Sequence, residues 1–198
     1  MMRKGKRIGL LGGTFDPIHS GHLIAAEQAR DQMKLDEVWL MPTKIPPHKT
    51  RTDIADEQHR LRMTELAAAD HPYFRVSDME LHREGPSYTV DTMRAIRQMF
   101  PHDEFLFIIG GDMVEMLPKW HRFEELRTIV HFIGLARSGA QYNQEAVSSY
   151  VTFVEMPAID ISSTMIRQRV RAGISIRYLV PDAVERYIKE HRLYESFG

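Results

Sequence analysis

The chain has no cysteine among its 198 residues. This absence excludes disulfide bonds, thiolate catalysis and cysteine-bound zinc together. The chain also lacks an excess of charge of one sign, because 26 Lys and Arg are balanced by 27 Asp and Glu. A near-neutral chain without a basic run lacks the electrostatic signature of a nucleic-acid-binding protein.

Long apolar runs are missing as well. The apolar run that follows Arg3, Lys4, Lys6 and Arg7 ends at Gly12 and is too short for the apolar core of a signal peptide. No stretch has the roughly 20 apolar residues that span a bilayer. We therefore expect a cytoplasmic protein with one domain over residues 1–198 and with no membrane or nucleic-acid partner. A homo-oligomer is compatible with the sequence, which does not fix the oligomeric state.

The most informative stretch lies near the N-terminus. Residues 7–11 form a short apolar run typical of a buried strand, and from residue 23 apolar residues recur at helical spacing. Between these segments lies the sequence G-G-T-F-D-P-I-H-S-G-H-L, residues 12–23. A strand, a glycine-rich turn and a helix in this order form the corner at which open α/β sheets bind ligands.

The residue types at this corner are suited to binding an anion. A glycine pair lets a ligand approach the backbone, and the free amides and dipole at a helix start favour negative charge. His19 and His22 lie three residues apart at the predicted helix start. We interpret them as groups that bind phosphate and stabilise charge in a transition state. For each residue taken singly, a tight turn or a capping side chain is the structural alternative.

A second predicted helix start carries related chemistry. Residues 160–169 read D-I-S-S-T-M-I-R-Q-R, in which Ser162 or Ser163 is a good N-cap. Arg167 lies about one turn into this helix, from where its guanidinium can reach back to the same anion. Because serine caps are common, the segment is informative mainly in combination with the histidine pair.

Several other candidates follow predicted strands. Lys44 and His48 lie in the loop after the second strand, where a lysine can reach a phosphate. Asp112 follows the most apolar run, residues 105–109, and can accept hydrogen bonds from ribose hydroxyls or cap a short helix over 113–117. Arg137 ends the fifth predicted strand, where it meets either a ligand or water.

Two further residues are placed by their neighbours. Thr89 lies in S-Y-T-V-D-T, residues 87–92, where a hydroxyl contacts a substrate or caps the predicted helix. Trp120 follows Pro-Lys in a polar connection and offers a stacking face to a flat heterocycle, with core packing as the alternative. In the predicted helix over 55–70, Arg60 is expected to face outward.

The motif at residues 12–23 resembles the signature of the HxGH nucleotidyltransferases, and in its full form that of bacterial nicotinate mononucleotide adenylyltransferases. The chain is similar to that family in further elements, in the same order up to residue 167: P-P-H-K, S-Y-T-x-D-T, G-x-D, P-K-W and I-S-S-T-x-I-R. It departs from the pattern at His121, where many relatives have tyrosine. This departure concerns the contacts to the carboxylate of the substrate.

The resemblance implies adenylyl transfer from ATP to nicotinate mononucleotide, with nicotinate adenine dinucleotide and pyrophosphate as products. It implies that Mg²⁺ arrives on the ATP phosphates, and no metal ligand is named in the chain. The catalytic residues that it implies are His19, His22 and Arg167. The residues implied to bind the mononucleotide are Lys44, His48, Thr89 and Trp120. The residues implied to bind ATP are Gly12, Gly13, Thr14, Phe15, Gly110, Asp112, Arg137, Ile161, Ser162 and Ser163.

The order of elements predicts the fold class. Six predicted strands alternate with helices, without an internal repeat or a linker. This alternation is typical of a Rossmann-like, doubly wound α/β domain with a mainly parallel sheet of about six strands and helices on both faces.

Other functions stay open at this point. Another HxGH enzyme, such as a phosphopantetheine adenylyltransferase, would be separated by a substrate screen. A dinucleotide-binding oxidoreductase is disfavoured because Gly9, Gly12 and Gly13 do not form G-x-G-x-x-G. A binding module without turnover would bind ATP and release no pyrophosphate. Zinc at the two histidines would need a third placed ligand.

Overall fold

A computed structural model describes residues 5–44, 54–83, 88–137, 142 and 144–195, with only the backbone of Arg137. Six strands within these residues form one sheet. The strands are β1 (Arg7–Gly13), β2 (Glu37–Pro42), β3 (Phe74–Val76), β4 (Glu104–Gly110), β5 (His131–Arg137) and β6 (Val151–Met156). The helices are α1 (Ser20–Met33), α2 (Glu57–Ala68), α3 (Thr89–Met99), α4 (Gly111–Val114), α5 (Phe123–Ile129), α6 (Gln144–Val147), α7 (Ser163–Arg171) and α8 (Asp182–Glu190).

The strand order is β3-β2-β1-β4-β5-β6, and every neighbouring pair is parallel. The predicted α/β class is therefore confirmed, and the sheet is parallel throughout. The chain changes direction across the sheet between β1 and β4, whose registers pair Leu11 with Ile108. The carboxyl ends of these two central strands form the crevice in which such sheets bind ligands.

Both faces of the sheet are covered by helices. Along β1, Ile8 and Leu10 belong to the core on one face, whereas Leu11 belongs to the core on the other. The first core also includes Val90 of α3, and the second includes Ala26 of α1. Burial on both faces explains why these strands have continuous apolar runs instead of alternating ones. No helix in the described ranges is long and apolar enough to cross a bilayer.

The starts of the short helices differ from the sequence-based expectation. The N-cap of α3 is Tyr88, whose side chain makes no capping bond, so the capping alternative for Thr89 does not hold. The N-cap of α4 is Gly110, which places Asp112 inside the helix and leaves its carboxylate free of a capping role. The cap of α7 is confirmed, because Ser162 Oγ accepts from the backbone of Met165 at 3.2 Å.

Candidate active site

A cleft of about 880 Å³ lies at the carboxyl ends of β1, β2 and β4. Its volume is in the range that accommodates a nucleotide-sized ligand. The sequence-predicted site residues that line it are Gly12, Gly13, Thr14, His19, His22, Lys44, Thr89, Gly110, Asp112, Trp120 and Ile161. One concave surface therefore collects residues that are up to 149 positions apart, from Gly12 to Ile161.

The two histidines form the start of α1. His19 is its N-cap residue, with extended backbone angles, and its backbone N–H donates to Nδ1 of His22 at 3.3 Å. The two rings stack with centroids 3.7 Å apart and planes inclined by 23°. Gly21 lies against the ring of His19, where an added Cβ would be 3.1 Å away. The H-x-G-H spacing thus packs both imidazoles at one helix N-terminus.

Both imidazoles are neutral at pH 7 in the free protein. Burial lowers the pKa of His19 to about 4. Burial and the nearby His19 lower the pKa of His22 to about 3. The Nδ1 atom of His19 is buried and has no hydrogen-bond partner among the described residues. An anion in the cleft would offset the cost of charging these rings and would raise both pKa values.

The turn between β1 and α1 is held from behind by the side chains of Arg60 and Ser163. Arg60, which is only 1% exposed, donates through Nη1 to the carbonyls of Thr14 at 2.6 Å and Thr43 at 2.9 Å. Ser163 Oγ donates to the carbonyl of Pro17 at 2.9 Å. The expectation that Arg60 faces solvent is wrong, because these backbone carbonyls require a buried donor. A guanidinium can satisfy two of them at once.

Arg167 lies behind the same turn. Its side chain is buried, and Nη1 donates to the backbone carbonyl of Asp16 at 2.8 Å. The same nitrogen lies 3.5 Å from Oδ2 of that residue. Arg167, Phe15, Ser162 and Ser163 are not among the residues that line the cleft. The ring of Phe15 instead packs edge-on against His22, with centroids 5.0 Å apart.

Trp120 lies where the cleft meets a smaller cavity of about 190 Å³. Its half-buried ring makes edge contacts with Phe107 and Phe132, each at a centroid distance of 6.1 Å. The small cavity is completed by Thr89, Tyr88 and His121. The ring of His121 stacks on Tyr88 at 4.1 Å, so an aromatic pair lies beside Trp120.

Glu80 is a lining residue that the sequence did not indicate. It is 4% exposed, and its Oε1 accepts from Oγ1 of Thr92 at 2.8 Å. Burial raises the pKa of this carboxyl. Nearby, Lys44 Nζ donates to the carbonyl of Arg83 at 3.0 Å. No local pattern marks Glu80, because only the packing of the segment after β3 brings it to the cleft.

Two sequence-predicted side chains lie outside the residues that the structure describes. His48 falls in the range 45–53, and the side chain of Arg137 is likewise outside the described residues. In the described part of the chain, no group of three or more His, Asp or Glu side chains is arranged to hold a metal ion.

The chain is similar to known proteins over nearly its whole length. A family model described as cytidylyltransferase-like matches residues 10–169. The probable nicotinate-nucleotide adenylyltransferase of Bacillus pumilus is 52% identical over 191 residues, or 96% of this chain and 100% of that protein. The nicotinate-nucleotide adenylyltransferase of Bacillus subtilis is 46% identical over the same coverage of both chains.

A solved structure shares the fold. The Plasmodium falciparum nicotinic acid mononucleotide adenylyltransferase complexed with NaAD superposes with a TM-score of 0.79 at 20% identity, over 96% of this chain and 97% of that one. The family model covers residues 10–169, and the two curated relatives are 52% and 46% identical over 96% of this chain. The chain therefore belongs to the cytidylyltransferase-like family, among the nicotinate-nucleotide adenylyltransferases.

Proposed function

We propose that this protein performs the reaction of its family through the stacked pair of His19 and His22. In that reaction a phosphate oxygen of nicotinate mononucleotide attacks the α-phosphorus of ATP, and the bond from this phosphorus to the oxygen bridging to the β-phosphate breaks. The products are nicotinate adenine dinucleotide and pyrophosphate. The nucleophile is already an anion at neutral pH, so the protein aligns phosphates and stabilises charge, and no base is required.

The observation that carries this proposal is the environment of the two rings. They are stacked and neutral at the N-terminal end of α1, in the wall of a cleft at the centre of the sheet. Helix N-termini attract phosphate, and imidazoles that become charged only beside an anion add donors where negative charge accumulates. Because both rings are neutral in the free protein, they repel neither each other nor a nearby cation.

The mononucleotide is proposed to bind beside Trp120. Its pyridine ring would stack on the half-buried indole, and Thr89 offers a hydroxyl in the wall of the same cavity. Lys44 supplies a positive charge to the cleft within reach of a phosphate. Asp112 is proposed to accept from the ribose of ATP. The roles proposed for His48 and Arg137 rest on the sequence alone.

Arg167 is proposed to act on the same turn that carries His19. Its bond to the Asp16 carbonyl supports a role behind the reacting groups, where its charge stabilises the turn. Magnesium is proposed to enter as part of the substrate, because a small hard cation prefers phosphate oxygens and water as ligands. The cytoplasmic location and the single domain over residues 1–198 stay predictions.

Pyrophosphate release tests the proposal directly. The full chain is mixed with MgATP and, in separate reactions, nicotinate mononucleotide, nicotinamide mononucleotide or phosphopantetheine, and the product is identified by its mass. We expect turnover with the nicotinate form. Turnover with phosphopantetheine and with neither mononucleotide would show that the proposed acceptor is wrong. ATP binding without any pyrophosphate release would show that the protein binds the nucleotide without catalysing the reaction.

A further inference from the structure

The carboxylate of Asp16 joins three distant parts of the chain beneath the histidine turn. Its Oδ1 accepts from the hydroxyl of Tyr194 at 2.7 Å and from the backbone N–H of Ala55 at 3.0 Å. Its Oδ2 lies 3.5 Å from the guanidinium of Arg167. Asp16 is only 2% exposed, so these contacts replace the water that a carboxylate otherwise binds.

Tyr194 reaches this carboxylate from the C-terminal segment that follows α8. The two residues are 178 positions apart in sequence. The backbone at Tyr194 has φ of 67°, a left-handed conformation that a side chain bearing Cβ rarely adopts. Such a conformation persists where surrounding contacts hold it, and the bond to Asp16 is a contact of that kind.

Asp16 is connected to the histidines by a short turn. Only Pro17 and Ile18 separate Asp16 from His19, and Ile18 is fully buried. The carbonyl of Pro17 is bound by Ser163. Because Pro17 is hydrogen-bonded to Ser163 and Ile18 is packed in the core, we expect a change in the position of the Asp16 carboxylate to alter the position of His19.

We propose that Tyr194 is a positioning residue for adenylyl transfer, which seats Asp16 through its hydroxyl and so fixes the orientation of His19 and His22. Tyr194 itself does not line the cleft. The inference rests on the proposed role of the histidine pair. The family motifs end at residue 167, and the inference gives the C-terminal segment beyond them a role in the reaction.

The chain provides a matched control in Tyr187. Its hydroxyl lies 2.9 Å from Nδ1 of His59, and its ring stacks on His191 at 4.0 Å. Tyr187→Phe therefore removes one hydroxyl from the same end of the chain without touching Asp16. Tyr194→Phe removes the hydroxyl and leaves the ring in place.

The test compares these two variants in steady-state kinetics and in the imidazole proton resonances of the ATP-free protein. For Tyr194→Phe we expect kcat to fall roughly tenfold with both KM values within about twofold, since small misplacement of reacting groups acts on the transition state. We also expect the resonances of His19 and His22 to shift. For Tyr187→Phe we expect wild-type kcat, with shifts confined to His59 and His191.

The resonances need no turnover, so they separate this inference from the proposed reaction. Unchanged His19 and His22 resonances in folded Tyr194→Phe, with kcat equal to that of Tyr187→Phe, would overturn it. If kcat of Tyr194→Phe falls only in proportion to the fraction of unfolded protein, as measured by a thermal melt, the inference would also be overturned. Shifted resonances in a chain that shows no adenylyl transfer would support the positioning and refute the reaction.

Discussion

The rings of His19 and His22 stack at 3.7 Å, and the backbone of His19 donates to the ring of His22. Two imidazoles this close disfavour double protonation, as the effect of His19 on the pKa of His22 shows. Both rings are therefore uncharged in the free protein. Phosphates bound in the cleft would supply the negative charge that makes protonation favourable.

Removing one ring should damage the reaction directly. We expect His22→Ala to lose ~2 to 4 kcal/mol of transition-state stabilisation, the size seen when one preorganised donor is removed. This corresponds to a fall in kcat/KM of roughly 30- to 1,000-fold. His59→Ala is the matched control, because that histidine contacts Tyr187 and does not line the cleft. A kcat/KM close to wild type in His22→Ala would contradict the role proposed for this residue.

The same histidines should make stability depend on pH. In the unfolded chain they bind protons below their ordinary pKa of 6.5, whereas in the folded chain they do so only near about 4 for His19 and about 3 for His22. The free energy of unfolding is therefore largest above pH 6.5 and falls as the pH drops from there toward 4. The slope contributed by each histidine is at most about 1.4 kcal/mol per pH unit.

Urea unfolding of the ATP-free protein between about pH 7.5 and 4.5 measures this dependence. The double variant His19→Asn, His22→Asn serves as the reference, since all other titrating groups are retained. We expect the loss of stability below pH 6.5 to be shallower in the variant than in the wild type. Parallel curves would show that the two rings titrate normally in the folded state.

Trp120 should affect one substrate selectively. Base–aromatic stacking is worth about 1 to 3 kcal/mol, so Trp120→Ala should raise KM for the mononucleotide roughly 5- to 150-fold. KM for ATP should stay within about twofold, and Trp120→Phe should retain most of the affinity because it keeps a stacking face. The chain's other tryptophan, Trp39, is the control, since it packs on Phe100 and Phe105 away from the cleft. Equal effects of Trp39→Ala and Trp120→Ala on KM would contradict stacking on the substrate.

Arg60 should matter for stability far more than its neighbour on α2. Arg60→Met leaves the carbonyls of Thr14 and Thr43 without their buried donor, and we expect a loss of about 3 to 5 kcal/mol. Arg62→Met removes a side chain that is 54% exposed and paired with Glu65, and we expect a change below about 1 kcal/mol. Urea unfolding measures both losses of stability, provided that the free energy of unfolding falls with urea concentration at the same slope in each variant. Similar losses in the two variants would show that the buried bonds of Arg60 contribute little.

The sequence alone determined the features that depend on neighbours along the chain. A strand, a turn and a helix start lie within residues 7–23, so H-x-G-H could be placed at a helix N-terminus without tertiary information. Continuous apolar runs separated by helices likewise indicated strands buried on both faces. The local sequence predicts a serine cap at residue 162 or 163, and the structure shows that the cap is Ser162.

Tertiary structure alone decided what supports the histidine turn. Helical periodicity places Arg60 on a polar face, but the carbonyls that it binds belong to residues that directly follow two strands. Asp16 is part of the first motif, yet its partners come from residues 55, 167 and 194. A buried polar group takes its partners from whatever the fold brings within hydrogen-bond distance. Such partners leave no periodic or spacing signal in the sequence, because their separation along the chain is set by topology.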